Sequence, residues 1–501
     1  MLLFASVLGV WHLLALGAWL FVRYQRDFPH VKYADLWWPG RWPRYRASMG
    51  DYYIAQSDAL LHRGEYALAV HKLRVGVAKA PASAQGRTLL ARVFLAYRRP
   101  DLAKQVLLDG LDCLSADPAY LQSTLAFLLE FQEDATLLEV TRRLLAAPAG
   151  PATRPLLATF AATAAFNRGN HTEAEELLGQ NRLRDSPEGV LLQARIAWES
   201  GLPELALLRL KEDIALHPGH DRARVLLAEY YLSLGRTGEW ETALVERVAG
   251  DPLAPAPRVA YLQLLHRRGD HARLEQEAAA LLRQFGGDPA ALLALADFAA
   301  STGRPDLARR AQLALSAQPE NSGAAALMVA EAHLVAGEYQ SAVDLVTRYT
   351  REYPEWTGQF APVFDGLQTV AYAGLGRADE ARLSLDHLLG QKNLRAANLV
   401  AVAQRLNALG ARDLARFALG RAVEADPLNQ PALANLIRLE LETGALADLP
   451  ARLERYLRSR QPSREILARA ADVLGSDLHL LVPGQKKLLG DLQTALGPRR
   501  P

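Results

Sequence analysis

Residues 337–354 read GEYQSAVDLVTRYTREYP, and residues 201–218 read GLPELALLRLKEDIALHP. Each opens on a glycine and sets an alanine five positions later, Ala342 and Ala206. Each then keeps apolar residues at helical spacing and closes on a proline seventeen positions after the glycine. Such a stretch is one amphipathic helix, with a turn in front and a helix-breaking residue behind it.

Working outward, glycines stand at Gly169, Gly201, Gly235, Gly269, Gly303, Gly337, Gly376, Gly410 and Gly444, and six of the eight intervals are 34 residues. The same ruler, laid between Gly64 and Gly169, marks Arg98 and Gln132 as substituted turn positions. This gives about twelve units over residues 50–462. Five residues after the turn runs a small column: Ala69, Ala103, Ala174, Ala206, Ala308, Ala342, Ala381 and Ala415. Seven residues before the turn runs another, Ser57, Ala91, Ala162, Ala194, Ala228, Ala296, Ala330, Thr369 and Ala403. Helices that cross closely need small side chains at the crossing, so the two columns are expected to face each other across each hairpin. Prolines such as Pro81, Pro118, Pro148, Pro187, Pro218, Pro252, Pro289, Pro319, Pro354, Pro427 and Pro462 punctuate the second helix of the units.

The 34-residue helix-turn-helix unit with its small columns resembles the tetratricopeptide repeat. The likeness covers about four-fifths of the chain, and the copies around Gln132 and Leu274 depart furthest from the pattern. It implies an all-α, right-handed superhelical solenoid whose first helices line a concave, protein-binding surface. On the central copies the template puts Arg195, Glu229, Gln263, Asp297 and Glu331 in one polar row, with Leu191, Val225, Val259, Leu293 and Leu327 in an apolar row beside it. Alternating rows of this kind suit an extended or helical peptide, while solvated helix faces are the plainer reading. The step from Gly337 to Gly376 is 39 residues, which places about five extra residues near Trp356. Residues 463–501 read as closing helices and a tail.

Residues 2–22 carry no charge, and 21 residues at about 1.5 Å each span about 31 Å, the thickness of a bilayer core. The sequence therefore predicts one transmembrane helix over residues 1–23, followed by an aromatic and basic juxtamembrane segment over 24–49. A cleaved signal peptide is the competing reading, but no basic stretch precedes the apolar run and no A-x-A site follows it. All six early basic residues, Arg23, Arg26, Lys32, Arg41, Arg44 and Arg46, follow the span, which predicts a single-pass inner-membrane protein with cytoplasmic repeats. Trp37, Trp38 and Trp42 suit a membrane interface, or else cap the first repeat. Ala5, Gly9 and His12 share one helix face and are candidates for homodimerisation through the span.

The remaining body holds 51 basic and 53 acidic residues, which gives no electrostatic reason to propose a nucleic-acid partner. Arg outnumbers Lys 49 to 8, suggesting a high-GC bacterial genome. Cys113 is the only cysteine, so no intrachain disulfide or cysteine-pair motif exists. His217 and His220 with Asp221 lack further ligands for a metal, and no nucleophile, phosphate-loop or zinc-protease motif occurs, so neither cofactor nor catalysis is expected. The layout is similar to the membrane-tethered repeat adaptors of lipopolysaccharide assembly, without their cysteine-ligated metal module. That resemblance implies a scaffold binding other proteins or peptides, with membrane lipid met through the N-terminal helix. A periplasm-facing subunit of an export, pilus or polysaccharide-assembly machine, and more remotely an enzyme with its active site in the groove, stay open.

Overall fold

The computed structural model describes residues 2–25, 28–147, 150–251, 254–315, 319–354, 358, 360–391, 394–460, 462–476 and 485–496, with the side chains of 2–8 and 319–322 left aside. Every regular element among them is helical, and the helices come in antiparallel pairs. The chain divides into two compact units, Met1–Arg184 and Asp185–Pro501.

In the first unit, α1 (Leu2–Leu20) runs into one π-helical turn (Phe21–Gln25) and is followed by α2 (Tyr33–Trp37). The first hairpin pairs α3 (Trp42–His62) with α4 (Tyr66–Lys79). Three more hairpins follow: Ala84–Ala96 with Pro100–Leu114, Pro118–Glu130 with Asp134–Ala146, and Thr153–Asn167 with His171–Gln180. The second unit stacks eight hairpins, from Pro187–Glu199 with Pro203–Leu216 to Gln430–Thr443 with Leu449–Leu457. It closes with Arg464–Leu474 packed against Gln485–Leu496.

The turns explain the glycine ruler. Gly64, Arg98, Gln132, Gly169, Gly201, Gly235, Gly269, Gly303, Gly337, Gly376, Gly410 and Gly444 all have positive φ. There the residue after the turn donates its N–H five residues back, as Leu202 does to the Ala197 carbonyl (2.9 Å) and Arg99 to that of Phe94 (2.8 Å). This left-handed cap satisfies carbonyls that the helix end leaves free, and glycine meets its geometry without strain. Several prolines prove to start helices as well as to end them. Pro118, Pro187 and Pro289 occupy the first helical turn, behind Asp117, Ser186 and Asp288, whose side chains accept N–H groups of that turn. Pro148, Pro252, Ala5, the Trp356 insertion apart from Gly358, and the 497–501 tail lie outside the described residues or side chains.

The small columns are buried between the paired helices: Ala206, Ala308 and Ala194 have no exposed surface. In three of the four departing copies both columns enlarge together, while the fourth sets the buried Trp240 against Ala228. Leu137 faces a copy with Leu125, Leu274 one with Leu262, and Leu449 one with Ile437, all six fully buried.

The expected membrane anchor is not present. Among the described residues, no helix is long and apolar enough to cross a membrane. Hydropathy alone cannot tell an apolar helix in lipid from one held by its own chain, and the structure shows the latter. Trp11 Nε1 donates to the Trp37 carbonyl (2.8 Å), Trp19 Nε1 to that of Val31 (3.1 Å), and the His12 ring meets the Tyr33 hydroxyl (2.7 Å). The transmembrane part of the fold class, the single-pass inner-membrane location with cytoplasmic repeats, and lipid contact through this helix are therefore overturned. The membrane-tethered adaptor and its periplasm-facing alternative rested on the same span and fall with it. Homodimerisation through Ala5, Gly9 and His12 loses its premise, since His12 also packs on Trp37 (5.2 Å between ring centroids). The tryptophans assigned to a lipid interface make ring contacts within their own chain, Trp37 with Trp38 and Trp42 with Trp11, while Trp38 and Trp42 keep an exposed face.

Candidate functional site

Within Asp185–Pro501, consecutive first helices touch one another closely at most layers, whereas consecutive second helices do so at few. Helices crowded at successive layers lie on the inside of the curve, which makes the first-helix face the recessed one. Arg195, Glu229, Gln263 and Asp297 are exposed on it, and Glu331 is half-buried. The neighbouring apolar row is less open. Leu191 and Leu327 are buried in the core, while Val225, Val259 and Leu293 are half-buried. The rows thus form a polar surface over an apolar floor, because four residues turn the helix by about 400°, which sets the earlier position about 40° round from the polar row.

The same column, six residues before the turn, recurs beyond the five residues that the central copies pointed to. In the first unit it supplies Asp58 and Arg92, which line a cavity of about 350 Å³ with Gln85, Thr88 and Ser123. In the second unit it supplies Gln404 and Arg438, lining one of about 240 Å³ with Asn407, Asn435 and Glu442. The 34-residue ruler reaches these four directly, since each stands six residues before Gly64, Arg98, Gly410 or Gly444.

Electrostatics mark the middle of the row. Although Asp297 reaches solvent, the packing around it on the recessed face partly desolvates its carboxyl and, reinforced by the neighbouring Glu331 carboxylate, pushes it above its ordinary range. Glu331 itself is held by Arg405, which reaches it from a first helix two hairpins further on. In the intervening hairpin the column position is Val370, fully buried, so the polar row is interrupted there. At the start of the second unit, Trp198 lies flat on Tyr230 with ring centroids 3.9 Å apart, joining two successive first helices. Burial pushes the Tyr230 hydroxyl up to about 12, against the opposing effect of Arg195 and with help from Glu199 and Glu229.

The histidine pair has a different carboxylate from the one its sequence position suggested. Buried Asp213 accepts from His217 Nδ1 (3.0 Å) and His220 Nδ1 (2.5 Å), while Asp221 pairs with Arg247. Asp221 is held below the usual carboxylate range by its hydrogen bond to that guanidinium. Among the described residues, no group of three or more His, Cys, Asp or Glu could hold a metal ion.

No protein-family model and no curated protein matches the chain. Among solved structures it is similar to a tetratricopeptide repeat protein from Parabacteroides merdae, at 15% identity and a TM-score of 0.31, over 51% of this chain and 98% of that one. It is also similar to the TPR domain of P58(IPK), at 15% identity and a TM-score of 0.21, over 79% of this chain and 99% of that one. At such scores it is the chain's own paired helices and turn geometry that establish the all-α repeat fold.

Proposed function

We propose that the chain is a protein-interaction scaffold, not an enzyme, which holds peptide segments of partner proteins against the faces of its first helices. Residues 50–462 are then the binding body and 463–501 its C-terminal cap. One observation carries this reading. The column six residues before the turn is polar in ten of the twelve copies, Ala126 and Val370 being the exceptions, and lines recessed cavities at Asp58 and Arg92 and again at Gln404 and Arg438. Amides and mixed charges over an apolar floor offer both hydrogen-bond partners for a peptide backbone and small pockets for its side chains. In the described residues Arg438 has only the neutral Asn435 side chain as partner (3.2 Å), so its charge is available to a ligand.

The test is capture. The tagged full chain is used to pull down partners from the source cells, beside a variant carrying Arg92→Glu, Glu229→Lys and Arg438→Glu. Loss of the principal partners from the variant, with helicity and melting intact, supports the reading. Undiminished capture would move the binding surface to the second helices or the inter-repeat loops.

A further inference from the structure

A cavity of about 1090 Å³ shares no lining residue with the cavity at Asp58 and Arg92. It opens between α2–α3 and the end of α4, lined by Leu36, Pro39, Trp42, Pro43, Tyr45 and Arg46 on one side and by Ala78–Ser83 on the other. Its origin is a close crossing. A Cβ on Gly50 would sit 2.7 Å from the Gly76 carbonyl and 2.6 Å from the Ala80 Cβ, so α3 and α4 meet backbone to backbone. The residues flanking that crossing, Ala47, Ala78, Ala80 and Ala82, are small and leave the trough above them unfilled.

We propose that this trough is a second docking site, which takes an amphipathic helix with an apolar face and acidic flanks from a partner protein. The walls exclude other occupants. Pro39, Pro43 and Pro81 have no N–H to offer, so the groove cannot add a strand, whereas a helix satisfies its own backbone and needs only side-chain burial. Pro39, Trp42, Pro43, Arg46, Pro81 and Ala82 are exposed, which leaves the trough open along its length and unable to enclose a small molecule as ligand pockets do. Trp42 presents an indole wall that is fixed by its Nε1 donating to the Leu36 carbonyl (3.0 Å) and by its stacking on Trp11. Aromatic walls of this kind anchor protein interfaces. The charge sets the sign. Arg46 and Lys79 make no ion pair among the described residues, and Asp51 is the single acid of the lining. Carboxylates on the helix flanks would be met at the rim on both sides.

The test uses the full chain and a fluorescein-labelled, hydrocarbon-stapled helix of about 15 residues, long enough to stay helical, with Leu and Phe on one face and Glu on its flanks. A matched helix carries Lys instead of Glu. Anisotropy is expected to show saturable binding of the Glu helix and roughly tenfold weaker binding to Arg46→Glu/Lys79→Glu, about what two rim charge contacts supply. The Lys helix should bind that double variant better than it binds the unaltered chain. Ala82→Trp, at an exposed site outside the core, should weaken the Glu helix by filling the trough. Equal binding of both helices, or indifference to all these variants, overturns the proposal. So does displacement of the helix by dodecanoate with the same charge dependence, which would make the occupant a small amphiphile. A dimer in sedimentation that Ala82→Trp abolishes would overturn it in favour of a second copy of this chain.

Discussion

At the scale of single residues, the turns separate conformational strain from contact. Gly235 has φ 69° and open space around the missing side chain, so Gly235→Ala should cost only the left-handed strain, about 1 kcal/mol. Gly303 has φ 64°, but a Cβ there would lie 3.0 Å from the Ala336 backbone nitrogen of the next turn, so Gly303→Ala adds a steric cost and should lower the melting temperature further. Equal losses at the two sites would show that the inter-turn approach is not tight in solution. Asp297 yields a pH prediction. Its carboxyl is raised in the folded state, so the folded chain holds this proton more firmly than the unfolded one. The penalty for its charge is absent below the ordinary value of 3.8, sets in as pH rises through it, and is complete above the raised value. Asp297→Asn should therefore melt higher than the unaltered chain at neutral pH, with the gap closing toward pH values below the carboxylate range. A neutral-pH melting temperature that falls on this substitution would contradict the assignment.

At the scale of the helical element, each hairpin is set by the two columns that meet at its crossing. Ala206 and Ala308 are fully buried there, and a tryptophan at either should cost about 1–3 kcal/mol by overpacking, read as a lower melting temperature. Where the crossing is built from Leu262 and Leu274, the same position needs bulk, and Leu274→Ala should cost about 2–5 kcal/mol through a cavity. Opposite size rules at one repeat position are why the departing copies looked irregular: each column was legible, but the compensation between them belongs to the packed pair. What depends on local sterics could be read directly. The turn positions, including Arg98 and Gln132, follow from the need for positive φ, and the polar column follows from the ruler. What depends on contacts between distant residues could not. Nothing in the 34-residue period foretells Arg405 reaching Glu331, whereas Asp213 stands only four and seven residues before the histidines it binds, within reach of helical spacing. The N-terminal helix misled for a related reason. Its apolar run has the length and composition of a span, and only Trp37, Val31 and Tyr33, which come later in the chain, reveal that its ring nitrogens are already engaged.

At the scale of the whole molecule, a stack of hairpins is nearly one-dimensional, with each layer coupled to its immediate neighbours. The surface pairs obey that rule. Arg236 reaches back to Glu204 and Arg304 to Glu275, each bridging one junction between successive hairpins. Being exposed, such a pair is worth about 0–1 kcal/mol, and its loss should be felt at one junction. The Glu331–Arg405 pair breaks the rule, because it joins hairpins two layers apart, over the buried Val370 of the hairpin that carries the longer connection. It therefore couples three layers at once. Its two side chains are each about 30% exposed, at 29% and 31%, so they are screened less than the Arg236–Glu204 pair, at 36% and 69%. Removing Arg405 also takes its cation from Glu331, whose carboxylate already raises that of Asp297. Arg405→Ala is accordingly expected to speed amide hydrogen exchange in Pro319–Val335, Ala361–Gly374 and Ala396–Ala408 together, whereas Arg236→Ala should affect only the helices on either side of its own junction. If exchange in Ala361–Gly374 stayed at its original rate in the Arg405 variant, the pair would be an ordinary surface contact, and the stack would be coupled through nearest neighbours alone.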